Sequence, residues 1–196
     1  MSDFNFRHPL IVLDCEMTGP DVIKHQLVEV AAIKCDPKTF GVLDTFHSYV
    51  GAKSGISSEQ VINDAHPGAL EKIRISKPVL EVAPPPSEVV RNLKDWLPRV
   101  EYTWVGYNLM LDFMFLRGAT VPETNFTYKF VDLTTLVELY LAHSSVEDKF
   151  TERSLEEVVG KLGVSTTGIG HFHSAKNDAL VALEVFKFMA DRFKIE

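Results

Sequence analysis

The chain has 196 residues, of which 45% are hydrophobic and 24% charged, a length and composition that predict one globular domain over residues 1–196. Its net charge of −7 and pI near 5.5 give no support to a broad basic surface for nucleic acid, although bound metal would offset acidic residues within a site. No apolar run approaches the length of a membrane span, and the N-terminal residues have the pattern of neither a signal nor a transit peptide.

The first predicted strand is the apolar run Leu10–Leu13, which leads into the acidic pair Asp14 and Glu16. Side chains alternate between the faces of a strand, so both carboxylates share one face and Cys15 points to the other. An uninterrupted apolar lead-in favours a strand buried on both faces. Neighbouring carboxylates at the end of such a strand repel each other, and a divalent cation between them would relieve the repulsion. Alone, the pair is also typical of a solvated turn.

Two more strands are predicted next, over residues 26–35 and 40–50, and their short separation indicates an antiparallel meander. From residue 51 to residue 86, short helical patches alternate with Gly, Ser and Pro. We expect Ser87 to cap a helix over residues 88–97.

The rest of the chain predicts two strand–helix units and two further helices. The first unit is a strand over residues 102–107 and a helix over 108–118, and the second is a strand over 128–131 and a helix over 132–143. The two further helices cover residues 154–163 and 175–192. The pattern Ser154-x-x-Glu157 is a capping box. Three meander strands followed by two βα units predict an α/β fold, a mixed five-stranded sheet with helices on both faces.

Two cysteines, Cys15 and Cys35, fall in predicted strands. Buried thiols without a disulfide are typical of a reducing compartment. We therefore expect an intracellular, cytoplasmic protein, with a nuclear location left open.

Three polar segments lie at strand ends or helix starts. They are Asp14-x-Glu16, Asn108-x-x-x-Asp112 and His173-x-x-x-x-Asp178. Asn108 and Asp112 share one helix face because they are four residues apart. Ligand sites in open α/β sheets lie at the carboxyl ends of the strands, so four carboxylates and an imidazole are expected to meet there. An acid in the first turn of a helix also has an ordinary explanation in the helix dipole. The three segments together, not any one of them, predict a site.

These segments resemble the three motifs of the DnaQ-like, DEDDh-type 3′–5′ exonucleases, which have a ribonuclease H-like fold. The matching residues are 14–19, 108–112 and 173–179. The second motif departs from the usual pattern, because Tyr107 stands where a histidine is common. Met17 and Thr18 are similar to the oligoribonuclease branch, whereas the insertion over residues 51–86, with its proline turn, is more similar to proofreading and repair enzymes. The resemblance therefore leaves DNA and RNA open.

The resemblance implies a phosphodiester hydrolase with two Mg²⁺ or Mn²⁺ ions, roughly 4 Å apart. Carboxylate oxygens are the ligands that these hard cations prefer. Asp14 is assigned to both ions, Glu16 and Asp178 to the ion on the nucleophile side, and Asp112 to the ion on the leaving-group side.

His173 is assigned as the general base, because an unperturbed imidazole has a pKa near roughly 6.5. Its neighbour His171 is the competing candidate, although its spacing to Asp178 does not fit the motif.

The resemblance also implies a set of substrate-binding residues. They are Glu16, Met17, Thr18, Tyr107, Asn108 and His66. Glu16 and the backbone near Met17 would bind the terminal 3′-OH. Met17 and Tyr107 would hold unstacked bases without reading their identity. The expected products are 5′-nucleoside monophosphates from single-stranded 3′ ends.

Three alternatives remain. The chain could be an oligoribonuclease-type RNase rather than a proofreading or repair DNase, a nucleic-acid-binding adaptor without chemistry, or a metal-stabilised structural domain. The presence of all four acids and the histidine argues against the adaptor. The expected partner is a nucleic-acid 3′ end and not a membrane, and both a homodimer and a polymerase-associated subunit are left open.

Overall fold

The computed structural model describes residues 6–119, 129–144 and 153–193. In these residues five strands form one mixed sheet in the order β3-β2-β1-β4-β5. The strands are β1 (Leu10–Met17), β2 (Leu27–Cys35), β3 (Val42–Tyr49), β4 (Thr103–Gly106) and β5 (Phe130–Asp132). The first three pair antiparallel, whereas β4 is parallel to β1 and β5 is parallel to β4. The predicted sheet is confirmed, although residue 128, the expected start of its last strand, lies outside the described residues.

Helices follow the strands in the predicted order. They are α1 (Ser58–Asn63), α2 (Ala69–Ile73), α3 (Lys77–Val82), α4 (Pro86–Trp96), α5 (Leu109–Gly118), α6 (Leu133–Ser144), α7 (Leu155–Leu162) and α8 (Ala175–Arg192). The predicted Ser87 cap is wrong, because Pro85 occupies the cap position of α4 and Pro86 begins the helix. Proline suits the first helical position, since its fixed φ is already helical and it lacks the N–H that would stay unbonded there.

The capping box of α7 is confirmed. The amide of Ser154 donates to Glu157 Oε2 over 2.7 Å, and the amide of Glu157 donates to Ser154 Oγ over 3.2 Å. Two amides at the helix start, which have no partner within the helix, are thereby satisfied.

Strand β1 lies at the centre of the sheet and is buried on both faces. All four residues from Leu10 to Leu13 are fully buried. Leu10 and Val12 pack with α6, α7 and α8, whereas Ile11 and Leu13 pack with α4 and α5. The expected helices on both faces are therefore confirmed, and the acidic end of β1 is held between two cores.

The turn from β4 into α5 brings that helix close to β1. A Cβ at Gly106 would lie 2.7 Å from the carbonyl oxygen of Leu13, so only glycine fits there. Asn108 adopts a left-handed conformation with φ of 57°. The amide of Leu109 then donates to Asp132 Oδ2 over 2.9 Å, which ties the start of α5 to the end of β5.

Both cysteines are buried and free, as expected. Among the described helices, none combines the length and the apolar character needed to cross a bilayer.

Candidate active site

The carboxyl end of β1 meets the start of α8. Glu16, His173 and Asp178 each offer a ligand atom, and these atoms lie within 4.8 Å of one another. Glu16 and Asp178 are buried, and His173 is half-buried. The structure therefore brings together residues that are more than 150 positions apart in the sequence, as the three-segment pattern predicted.

The segment before α8 is shaped to present these side chains. His173 has a positive φ of 63°, which is uncommon for a residue with a side chain. In that conformation its amide donates to Asp178 Oδ2 over 3.0 Å. The other carboxylate oxygen, Asp178 Oδ1, is buried and has no hydrogen-bond partner among the described residues. A buried carboxylate oxygen without a hydrogen bond lowers the free energy of unfolding unless a further group binds it.

Asp112 reaches the site from the first turn of α5, on the other face of the sheet. It is buried, and its carboxylate lies beside the Cys15 thiol. Cys15 lies in the core on the face opposite Asp14 and Glu16, as the alternation of β1 predicted. Its contact with Asp112 was not predicted, because nothing in the sequence places the start of α5 beside it.

The carboxylates of the site are held in an environment that disfavours their charge. Burial raises the pKa of Glu16 to about 8, and the charges of Asp178 and Glu29 add to the effect. Burial also raises the pKa of Asp112 to about 8 and that of Asp178 to about 6. Asp14 has a pKa well above its ordinary value, because the half-buried side chain is desolvated and faces Asp112 and Asp178. Ionisation of these carboxyls is therefore costly unless a positive charge binds beside them.

A divalent cation fits this set of residues. The carboxylate oxygens of the set are the donors that Mg²⁺ or Mn²⁺ prefers, and the His173 imidazole lies beside them. Asp178 Oδ1 is a buried acceptor without a partner among the described residues. A positive ion would bind that oxygen and favour the ionised carboxylates, whose pKa values are raised by burial and by mutual repulsion.

A fifth acid, Glu29, was missed by the sequence reasoning. It lies on β2, directly opposite Glu16 across the β1–β2 pair. Its side chain is buried and bonded to His47 and to the start of α8. The available signal was an acid within the otherwise apolar run of β2, since a buried charge needs partners.

The residues expected to bind substrate fall into two groups. Met17 is half-buried at the end of β1, whereas Thr18 is buried and its hydroxyl accepts a bond from the amide of Gln26 over 2.9 Å. The carbonyl of Thr18 accepts a bond from the amide of His66 over 2.7 Å. Thr18 thus joins the end of β1 to the loop before α2, on which the His66 side chain is exposed.

Tyr107 and Asn108 form the second group. With Thr134, Arg153 and Ser154 they line a cavity of about 390 Å³. The Tyr107 hydroxyl donates to the carbonyl of Arg153 over 2.5 Å, so the edge of its ring is fixed at the wall of the cavity.

The two candidate histidines differ in their surroundings. The imidazole of His173 lies in the acidic cluster, and burial is the main cause that lowers its pKa. His171 is exposed, and its carbonyl accepts a bond from Asn177 Nδ2 over 2.8 Å.

Comparison with known proteins agrees with this geometry. The family model described as "Exonuclease" (RNase_T) matches residues 11–186. A probable oligoribonuclease of Schizosaccharomyces pombe is 26% identical over 81% of this chain, which spans 66% of that relative. The oligoribonuclease of Paracidovorax citrulli is 29% identical over 70% of this chain and 71% of its own length.

Among solved structures, the nuclease domain of 3′hExo, a DEDDh family member bound to rAMP, superimposes with a TM-score of 0.74 at 14% identity. The match covers 97% of this chain and 96% of that one, so the two share the ribonuclease H-like fold. A mixed sheet whose central strand ends in a buried acidic cluster is the architecture of a nuclease of this fold. The chain belongs to the RNase_T exonuclease family, within the DnaQ-like 3′–5′ exonuclease superfamily. The predicted enzyme class, a 3′–5′ exonuclease, is thereby confirmed at the level of the family.

Proposed function

We propose that this protein is a metal-dependent exonuclease that removes 5′-nucleoside monophosphates from single-stranded 3′ ends. The observation that carries the proposal is the acidic cluster at the end of β1, where Glu16, His173 and Asp178 place ligand atoms within 4.8 Å of one another. Asp14 and Asp112 adjoin this cluster, and the charges of Asp112, Asp178 and Glu16 help to raise the pKa of Asp14. Membership of an exonuclease family supports phosphodiester hydrolysis as the reaction that such a site carries out.

Two Mg²⁺ or Mn²⁺ ions, when bound, would supply the positive charge that stabilises a phosphodiester during hydrolysis. Asp14 would contact both ions, Glu16 and Asp178 would hold one, and Asp112 would hold the other.

His173 is proposed as the general base. Its lowered pKa keeps the imidazole neutral near pH 7, so one ring nitrogen can accept a proton from the attacking water. The same burial removes competing solvent from the imidazole. His171, which is exposed, lacks this environment.

Short RNA is the substrate class that we propose. Two relatives along most of the chain bear the name oligoribonuclease, and Met17-Thr18 resembles that branch. Glu16 and the Met17 backbone would bind the 3′-OH. Tyr107 and Asn108 line a cavity large enough to hold part of an adjoining nucleotide. An aromatic side chain suits this role because bases of any identity stack on it.

The test compares Asp14→Asn with Asp95→Asn, which makes the same chemical change at an exposed acid on α4. Hydrolysis of matched single-stranded RNA, single-stranded DNA and dinucleotides is measured with Mn²⁺. We expect Asp14→Asn to lose about 100-fold or more in rate, because a misplacement of about 1 Å at a reaction centre can alone cost about 100-fold. Asp95→Asn should match the wild type. Binding of single strands without hydrolysis would instead support the adaptor. Faster turnover of DNA than of RNA would overturn the substrate class.

A further inference from the structure

We propose that Glu29 is a positioning residue, which caps α8 from the neighbouring strand and so fixes His173 and Asp178 against Glu16. This inference rests on the proposed exonuclease function, because the geometry that Glu29 would maintain is that of the nuclease site.

Glu29 points toward α8 from the middle of the sheet. It is 2% exposed and pairs directly with Glu16 in the antiparallel register of β1 and β2. Residues opposite each other in such a pair project from the same face of the sheet. Glu29 therefore lies beside the metal-site acids, on the face that α8 covers.

Donors from three residues bind its two carboxylate oxygens. Oε1 accepts from His47 Nε2 over 2.7 Å and from Ser174 Oγ over 3.4 Å. Oε2 accepts from the amide of Ala175 over 3.2 Å. With both oxygens bonded to the protein, Glu29 is not placed as another metal ligand, and the group of converging ligand atoms consists of Glu16, His173 and Asp178.

The start of α8 needs an acceptor from outside the helix. Ser174 is its N-cap residue, yet the Ser174 side chain makes no capping bond to the helix backbone. The first amides of a helix have no intrahelical partner, and a carboxylate at this end also favours the helix dipole. Glu29 supplies both effects from β2, a strand 145 residues earlier in the chain.

The position of α8 decides the geometry of the site. His173 immediately precedes Ser174, and Asp178 lies in the first turn of the helix. If the Ala175 amide loses its acceptor, this turn loosens and both side chains move relative to Glu16. Outer groups that orient ligands in this way typically change activity or metal affinity by about 10–100-fold when removed.

Substitution of Glu29 should therefore lower kcat and leave KM nearly unchanged. Glu29→Ala removes the acceptor, and we expect kcat to fall about 10–100-fold. Glu29→Gln keeps a carbonyl oxygen for the Ala175 amide, while its NH₂ group can face a neutral His47 imidazole. We expect this conservative variant to recover kcat to within a few fold of the wild type, as the orienting bond is kept.

Val28→Ala is the matched control. Val28 is the adjacent buried residue of β2, but it packs with Val61, Ile73, Ile75 and Leu80, away from α8. Its truncation lowers the melting temperature without removing a bond to α8. If it lowers kcat as much as Glu29→Ala at equal loss of melting temperature, Glu29 is only structural.

A second measurement does not depend on activity. Hydrogen exchange of the Ala175 amide is followed by NMR in the metal-free protein for the wild type and the three variants. Faster exchange in Glu29→Ala, with protection kept in Glu29→Gln and Val28→Ala, supports the capping role. If the Ala175 amide of Glu29→Ala exchanges at the wild-type rate and this variant keeps the wild-type kcat, the capping role is overturned. If the wild-type chain hydrolyses no substrate, the proposed function fails, and the exchange rates still decide whether Glu29 caps α8.

Discussion

Replacing Glu16 with glutamine should stabilise the metal-free protein at alkaline pH and abolish hydrolysis. Glu16 is buried, and its pKa rises from an ordinary value of 4.5 to about 8. Between these two pH values the folded chain binds more protons than the unfolded chain. The free energy of unfolding therefore falls as the pH rises through this window, because a buried carboxyl must ionise at a cost.

The size of the effect follows from the pKa change. One pKa unit corresponds to about 1.4 kcal/mol, so ionised Glu16 costs on the order of 4 kcal/mol at pH 8. Part of this cost is the repulsion between Glu16 and the acids Asp178 and Glu29. Both acids remain in the variant, and their relaxation makes the measured gain smaller than the full cost. We expect Glu16→Gln to gain about 2–4 kcal/mol at pH 8 and close to nothing at pH 4, where both states of the wild type are protonated.

Urea unfolding in EDTA, followed by circular dichroism at pH 4, 6 and 8, measures this difference. Glu71→Gln, at an exposed acid on α2, is the control and should show no such trend. Adding Mg²⁺ should raise the free energy of unfolding of the wild type more than that of Glu16→Gln, because the ion binds the ionised site. A variant that is less stable than the wild type at pH 8, or a gain that is equal at pH 4, would refute the reasoning.

Further predictions concern the base, a helix cap and a buried ion pair. His173→Ala should lower hydrolysis of single strands by about 10²-fold or more, with His171→Ala near wild type; the reverse result would identify His171 as the base. Ser154→Ala should cost about 1 kcal/mol in urea unfolding because α7 loses its capping box, and no change would contradict that role. Glu138→Ala removes the carboxylate beside the buried Arg153 guanidinium and should cost about 3 kcal/mol; a loss below about 1 kcal/mol would contradict it.

Local patterns were sufficient to predict most of the fold. β1 could be predicted as central because four apolar residues in a row need cover on both faces. The capping box of α7 could be predicted because its partners are three residues apart. The start of α4 could not be predicted, because Ser87 and the preceding prolines are both good helix starts. In the structure the helix begins at Pro86, as expected from the preference of proline for the first turn.

The convergence of the candidate site residues was predictable where motif residues carried the information. Asp14, Glu16 and Asp178 follow strand and helix boundaries that the sequence marks. Glu29 was missed because its partners on α8 are 145 and 146 residues away, and no local pattern reports such a bond. The burial of Thr18 likewise depends on its pairing with Gln26 across a turn that closes only in the folded chain.

Product analysis on linear single strands labelled at the 5′ end, beside a circular strand labelled internally, tests the central proposal most directly. Linear RNA, linear DNA and a circular strand of the same sequence are incubated with Mg²⁺, and in parallel with EDTA. We expect the linear strands to shorten one nucleotide at a time, to release 5′-nucleoside monophosphates, and to persist in EDTA. The circle should remain intact. Internal cleavage of the circle, or shortening that continues in EDTA, would contradict a metal-dependent exonuclease acting from the 3′ end.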